Sequence, residues 1–255
     1  DLVHASRGCR FNCYPCAVAY LGGRKFRPRP IDRAIEEMAL TDNNRLFVVD
    51  NSLAQDTQWE MDLFREMIPL KKNWCSHTIE DKPEVLDLAR QAGAWYVYQA
   101  VFDTSDFIRE RIKRYHDHDI AVEGTILLGM DNHDEEYIKR FIDFLLEIEL
   151  DLAEFTVLTP FPHTKAYDDM RKEKRLISHD WNDYNAGKVV FQPKLMSPER
   201  LQELYYFAWE RFYQDEPQQV KMYKLIKKVA EREMALGTYR PRRRDLIRKA
   251  FGEKL

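Results

Sequence analysis

Ser6-Arg7-Gly8-Cys9-Arg10-Phe11-Asn12-Cys13-Tyr14-Pro15-Cys16 packs three of the chain's four cysteines into eight residues, with the spacing CxxxCxxC. That spacing closes a small loop with three sulfurs directed at a common centre. Thiolates are the soft ligands of iron–sulfur clusters. A cubane cluster has four irons, so three cysteines leave one iron open to a cofactor, whereas a fourth would make an electron-transfer site. Structural zinc needs a fourth Cys or His close by. Here His4 precedes the run and no second CxxC follows. A disulfide framework needs paired cysteines in a short secreted chain, and this chain has 255 residues. The expectation is a cluster on Cys9, Cys13 and Cys16, with zinc as the alternative.

Working outward, residues 2–6 form a short apolar strand that feeds the cysteine loop. Gly22-Gly23, Pro28 and Pro30 predict an irregular stretch, and a helix opens at Pro30 or Ile31. Further strands are expected at 45–50, 73–79, 95–102, 120–128 and 152–158. Helices are expected at 56–68, 83–91, 105–116 and 134–149. Strands alternating with helices predict a parallel sheet with right-handed crossovers. Such connections place functional residues at the C-terminal ends of strands. The cysteine loop, Asp50-Asn51, Asp103, Gly129 and Thr159-Pro160 then share one rim.

Beyond residue 160 the pattern changes. Residues 158–164 read as a proline-punctuated loop, and Trp181, Tyr184, Val189, Val190 and Phe191 as an irregular, aromatic lid. Ser197-Pro198 opens a helix that runs to about Tyr213, and helices are expected near 218–236 and 243–251. The division is a core at 1–160 and a lid with helical extension at 161–255.

Hydrophobic residues make up 44% and charged residues 33%, a globular balance, and the net charge is −3. That leaves no overall basic excess for nucleic acid. No apolar run approaches a membrane span and no signal peptide is evident. A start at Asp1, directly on a strand, reads as part of a longer chain. Clustered unpaired cysteines point to a reducing, cytoplasmic setting.

The cysteine run, with ASRGC and GGRKFRPRP around it, resembles the radical S-adenosylmethionine (SAM) superfamily, and within it the branch that usually carries an upstream cobalamin-binding domain. VEGTILLGMDNHDEE is similar to the fifth-strand segment of that branch. VLTPFPHTKAYDDM and RLISHDWNDYNAGKVVFQPKLMSPERLQ are similar to its post-barrel extension. One departure is Pro15 before the third cysteine, where an aromatic residue is usual. The resemblance implies an open β/α barrel of six parallel strands. It also implies a [4Fe-4S] cluster whose open iron chelates SAM, cleavage of SAM to a deoxyadenosyl radical, and hydrogen abstraction from a small-molecule or lipid-like substrate. With cobalamin, methylation of carbon is implied. A reductant such as ferredoxin or flavodoxin is the expected partner.

The same resemblance assigns Asp50, Asn51 and Ser52 to the methionine amino group of SAM, although a helix N-cap explains them too. Gln99 and Asp103 fall where the family binds the SAM carboxylate and ribose, and Asp103 also suits a cap. Gly129 matches the glycine that lets backbone approach adenosine, and Leu158 and Thr159 match the backbone beside adenine. Glu123 is a charge in an apolar strand. Directed inward it needs a partner, from the RKFRPRP loop or from substrate; directed outward it is a surface residue. Glu123 and His163 are the catalytic candidates, and His133 is a second rim histidine. Cys75, mid-strand, reads as a small core residue. Arg240, Arg242, Arg243, Arg244, Arg248 and Lys249 form a basic tail, the basis of an alternative as a metal-binding, RNA-interacting protein.

Overall fold

The computed structural model describes residues 1–240, so the basic run from Arg242 and the helix expected at 243–251 lie outside the described residues. β1 (Leu2–Val3) leads to a two-stranded antiparallel ribbon of β2 (Ser6–Arg7) and β3 (Arg27–Pro28), with α1 (Val18–Leu21) between them. Then follow α2 (Ile31–Leu40), β4 (Arg45–Val48), α3 (Thr57–Met67), β5 (Asn73–Ser76), α4 (Pro83–Ala92), β6 (Ala94–Ala100) and α5 (Asp106–Asp117). β7 (Ala121–Leu128), α6 (Glu135–Glu147), β8 (Leu152–Val157), α7 (Lys165–Lys172), α8 (Pro198–Phe212) and α9 (Gln218–Ala235) complete the described chain.

Local chemistry sets these boundaries. Asp56, Asp134 and Ser197 cap α3, α6 and α8 by accepting from the backbone N–H of Trp59, Tyr137 and Arg200. Gly93 ends α4 in the left-handed region at φ 108°, and a Cβ there would meet the Lys72 carbonyl oxygen at 1.9 Å.

Six strands form one parallel sheet in the order β1-β4-β5-β6-β7-β8. Sequential order makes every crossover step the same way, so the helices gather on one face and the sheet curls towards the other. β8 and β1 are the two edges, which leaves the barrel open as the resemblance implies. The helix-facing side holds the core, including Val97, Val122, Ile126 and Phe155 against Ile108, Ile112, Ile138 and Phe141. The other face lines a lumen and is only partly covered. Phe47, Cys75, Tyr98, Thr125 and Thr156 are half-buried and Glu154 is exposed, while their strand neighbours are buried. These strands therefore have one wet face.

The C-terminal chain does two things. α8 lies on β8 and α6 in the helix layer, and Arg200 grips Glu135 at the start of α6 with both oxygens, at 2.9 and 2.6 Å. α9 runs beneath the N-terminal ends of the strands. Its Leu225 and Met222 pack on Tyr96, Tyr98 and Leu152. Near its end, buried Glu233 accepts from Arg45 Nε and Nη2 at 2.9 and 2.8 Å and from Asn73 Nδ2 at 3.3 Å. This helix is a floor to the barrel.

Two stretches expected to be irregular contain regular structure. Residues 22–30 include β3, where Pro28 is tolerated because the ribbon has only two strands and Pro28 needs no inward donor. The aromatic segment after residue 160 contains α7, capped by Thr164, whose hydroxyl accepts from Tyr167 N. The short 3₁₀ turn Trp181–Asp183 and a bridge between Leu176 and Phe191 order the remainder.

Candidate functional site

The cysteine loop leaves the C-terminal end of β1 and is held by the strand ends around it. Asp50, at the end of β4, is buried and accepts from Ala5 N at 2.9 Å and Ser6 Oγ at 2.5 Å. Burial raises its pKa, and those hydrogen bonds oppose the rise. Gln55, also buried, accepts from Arg10 N at 2.9 Å and donates from Nε2 to Cys9 Sγ at 3.4 Å. Cys9 N donates to the Gly23 carbonyl oxygen at 3.1 Å, Cys16 N to the Cys13 carbonyl oxygen at 2.9 Å, and Val18 N to Cys16 Sγ at 3.4 Å. Gly8, at φ 81°, lies so close to the Lys25 carbonyl oxygen that a Cβ would meet it at 2.2 Å, so only glycine fits there.

All four cysteines are free, with Cys13 and Cys16 exposed and Cys9 half-buried. Burial, then Cys16 and Cys9, push the Cys13 thiol up, so the three sulfurs lie within each other's fields. Among the described residues no three His, Cys, Asp or Glu side chains close on one ion. A polynuclear cluster takes each thiolate on a separate iron. Two N–H donors already directed at sulfur also fit, since such bonds tune cluster potentials. Cys75 differs. It lies on β5, and burial pushes its thiol up to about 11, which makes it a poor ligand.

The expected rim is present. The cysteine loop, Asp50-Asn51, Asp103, Gly129 and Thr159 follow the C-terminal ends of β1, β4, β6, β7 and β8. Their side chains differ in what they leave free. The Asp50 carboxylate is spent on the cysteine loop. Ser52 Oγ donates to the Thr78 carbonyl oxygen at 3.4 Å, while Asn51 is exposed beside Gly22. Asp103 accepts from Ser105 N at 3.0 Å and Ser105 Oγ at 2.5 Å, the capping role weighed above. Thr159 Oγ1 donates to the Val157 carbonyl oxygen at 2.9 Å. Gly129, at φ 91°, would place a Cβ 2.6 Å from Leu201 Cδ2 and 3.2 Å from Phe191 Cζ, so its packing demand comes from the C-terminal chain.

Gln99, His163 and Glu123 take three different positions. Gln99 faces the helix layer, where its Oε1 lies 3.3 Å from the donating hydroxyl of Tyr115 on α5, so its side chain is turned from the lumen. His163 is exposed in the loop before α7 at φ 66°. Glu123 does face the lumen, but five residues below the end of β7, about 17 Å at ~3.3 Å per residue. No arginine from residues 24–30 pairs with it, and burial, then Glu154, raise its pKa to about 7.

Sequence reasoning missed Gln55, Tyr98, His77 and Glu154. His77 Nδ1 donates to the Asp50 carbonyl oxygen at 2.7 Å. The available signal was alternation: Tyr98 and Glu154 share a strand face with the half-buried residues, not with the core. On the rim, His133 is 4% exposed, stacks on Tyr137 at 4.6 Å, and is pushed down to about 4 by burial, so it is neutral.

The segment after residue 160 approaches the cysteines. Asp131 and Asp169 raise the Tyr14 phenol, after burial, so α7 and the loop after β7 lie beside the cysteine loop. Arg175 Nη2 holds Asp131 at 2.6 Å, and Lys194 holds it at 2.7 Å. A cleft of about 270 Å³ lies at the opposite barrel end, lined by Arg90, Trp95, His116, Asp119, Asp151 and Arg232. Its Arg90–Asp119 and His116–Asp151 pairs are closed at 2.7 and 2.8 Å, far from the cysteines.

No family model matches the chain. It is 27% identical over 225 residues to bacteriochlorophyllide d C-12(1)-methyltransferase of Chlorobaculum tepidum, covering 79% of this chain and 49% of that protein. It is 22% identical to the anaerobic magnesium-protoporphyrin IX monomethyl ester cyclase of Cereibacter sphaeroides, covering 83% and 38%. The same identity relates it to the hopanoid C-2 methylase of Rhodopseudomonas palustris, covering 74% and 41%. The chain thus spans about half the length, or less, of the curated relatives it matches. Among solved structures, the radical S-adenosylmethionine methyltransferase TsrM of Kitasatospora setae, with cobalamin and a [4Fe-4S] cluster bound, superposes with a TM-score of 0.64 at 14% identity, over 80% of this chain and 43% of that one. These comparisons bear out the resemblance to the radical SAM superfamily and its cobalamin-associated branch, and the partial-barrel fold.

Proposed function

We propose that this chain is the catalytic barrel of a radical SAM enzyme acting on a small-molecule or lipid-like substrate. One observation carries the reading: the CxxxCxxC loop sits on the C-terminal rim of an open, six-stranded parallel barrel, above a partly wet lumen. When bound, a reduced [4Fe-4S] cluster with SAM supplies a deoxyadenosyl radical that removes hydrogen from an unreactive carbon. Cys9, Cys13 and Cys16 would hold the cluster, with Gln55 Nε2 donating to Cys9 Sγ and the Val18 N–H to Cys16 Sγ. Asp50 fixes the loop through Ala5 and Ser6. Asn51, Ser52, Asp103, Gly129 and Thr159 supply the rim for SAM. The methyl-transferring relatives support methylation of carbon, and cobalamin would be held outside the barrel. A ferredoxin- or flavodoxin-like reductant in a cytoplasmic setting completes the reading, and residues 161–192 act as the lid. No helix among the described residues is long and apolar enough to cross a membrane.

Anaerobic reconstitution tests it. The wild-type chain is expected to bind iron and sulfide and to turn SAM into deoxyadenosine under reduction. Cys9→Ala, Cys13→Ala and Cys16→Ala should each lose the cluster, and Cys75→Ala should keep it. A cluster lost as fully in Cys75→Ala as in Cys13→Ala, or a colourless protein that takes up zinc, would overturn the assignment.

A further inference from the structure

The lumen face carries a second set of groups, from His77 at the rim down to Glu123. Tyr98, Glu123 and Leu152 are register partners across β6, β7 and β8, and Thr125 pairs with Glu154 one layer up. Paired residues in a parallel sheet point to one side, so Glu123 and Glu154 are diagonal neighbours on the lumen wall. Glu123 is 7% exposed and makes no hydrogen bond or ion pair among the described residues, and Glu154 makes no ion pair either. Beside them stands an aromatic wall. Phe47 stacks on Tyr98 at 5.8 Å, His77 packs against both at 5.5 Å, and Tyr96 meets Tyr98 edge-on at 5.2 Å. The Tyr96 hydroxyl, on the same face in a residue 2% exposed, has no partner.

Side chains from several elements surround Glu123. They are Tyr98 on β6, Cys75 on β5, His77 after β5, Glu154 on β8 and Tyr213 after α8, with apolar Met222 and Leu225 below on α9. Among the described residues no lysine or arginine answers the carboxylates. A buried, unanswered carboxylate is costly, and one beside aromatic faces attracts organic cations, since ring faces are negative.

We propose that Glu123, Glu154 and the Phe47–His77–Tyr98 wall form a lumen subsite for an organic ammonium or amidinium group carried on an apolar body. This deepens the substrate side of the proposed function and rests on the lumen being the substrate chamber. Glu123 lies about 17 Å below the end of β7, while the wall reaches the rim at His77, so the subsite anchors one end of a substrate and leaves the reacting carbon near the cysteines. It is a binding site; its residues orient substrate and touch no reacting atom.

Calorimetric titration of the 255-residue chain with 2-phenylethylammonium tests the proposal without needing a cluster, so iron content reports separately on the cysteine assignment. Saturable 1:1 binding is expected at pH 8. It should weaken about tenfold by pH 6, as Glu123 takes up its proton. Glu123→Gln and Glu154→Gln should each weaken binding at least tenfold, and Asp119→Asn, at the opposite barrel end, should bind like wild type. Far-ultraviolet circular dichroism checks that each variant is folded. No saturable binding at pH 8, equal affinity for neutral 3-phenylpropanol, or unchanged affinity in folded Glu123→Gln would each overturn the subsite.

Discussion

Glu123 has an energetic signature of its own. An unfolded-chain glutamate titrates near 4.3, whereas burial and Glu154 move Glu123 to about 7. The folded state therefore holds this proton more tightly. The cost of ionising it is absent below about pH 4.5, grows through the interval up to about pH 7, and is constant above. Stability contributed at this site thus falls as pH rises. Glu123→Gln removes the cost and should stabilise the chain at pH 8 by on the order of 2 kcal/mol, after discounting for solvent in the lumen. At pH 4.5 the gain should vanish. Urea unfolding of both proteins at the two pH values measures the difference, and an equal gain at both would mean that Glu123 ionises as freely as in water.

At the scale of elements, the link between β4 and the cysteine loop is decisive. Neither β1 nor β2 is long enough to hold the loop by ladder bonds alone, since each has two residues. The Asp50 carboxylate makes up for this with bonds to Ala5 N and Ser6 Oγ, across 45 and 44 residues of sequence. Asp50→Ala leaves two buried donors without acceptors and should cost about 1–3 kcal/mol. It should also reduce the iron bound per chain after reconstitution, because the loop loses its anchor. Asp50→Asn keeps an acceptor for one donor and should recover part of both. Full iron content in Asp50→Ala would show that the loop is held by Gln55 and the ribbon instead.

For the molecule as a whole, α9 closes the N-terminal barrel end while the C-terminal end stays open to the rim. The tie is the Glu233–Arg45 fork, whose carboxylate is buried and whose guanidinium is raised in pKa by that hydrogen bond. A forked pair of this kind adds geometry as well as energy. Glu233→Ala would leave Arg45 and Asn73 unanswered beneath the sheet. It should lower stability by about 2 kcal/mol, less than for a fully buried pair because Arg45 reaches solvent. It should also speed hydrogen exchange at the start of β4 and β5 while sparing the rim. Uniform loss of protection across all six strands would instead make α9 part of the global folding unit.

The order of strands and helices, the parallel sheet, the rim and the cysteine loop were legible in the sequence, because each rests on local information: hydrophobic period, capping residues and the spacing of three thiols. Helix α7 and strand β3 escaped because proline and glycine mark breaks without saying what lies between them. In a run such as residues 45–50, periodicity does not report whether a sheet's second face is covered. Only tertiary structure decided that. Register across β6, β7 and β8 turned Gln99 to the helices and Glu123, Glu154 and Tyr98 to the lumen, and contacts spanning tens to nearly two hundred residues spent Asp50 on the cysteine loop and brought Glu233 beneath β4. Such pairings depend on the assembly of the whole sheet, and no local stretch of sequence contains them.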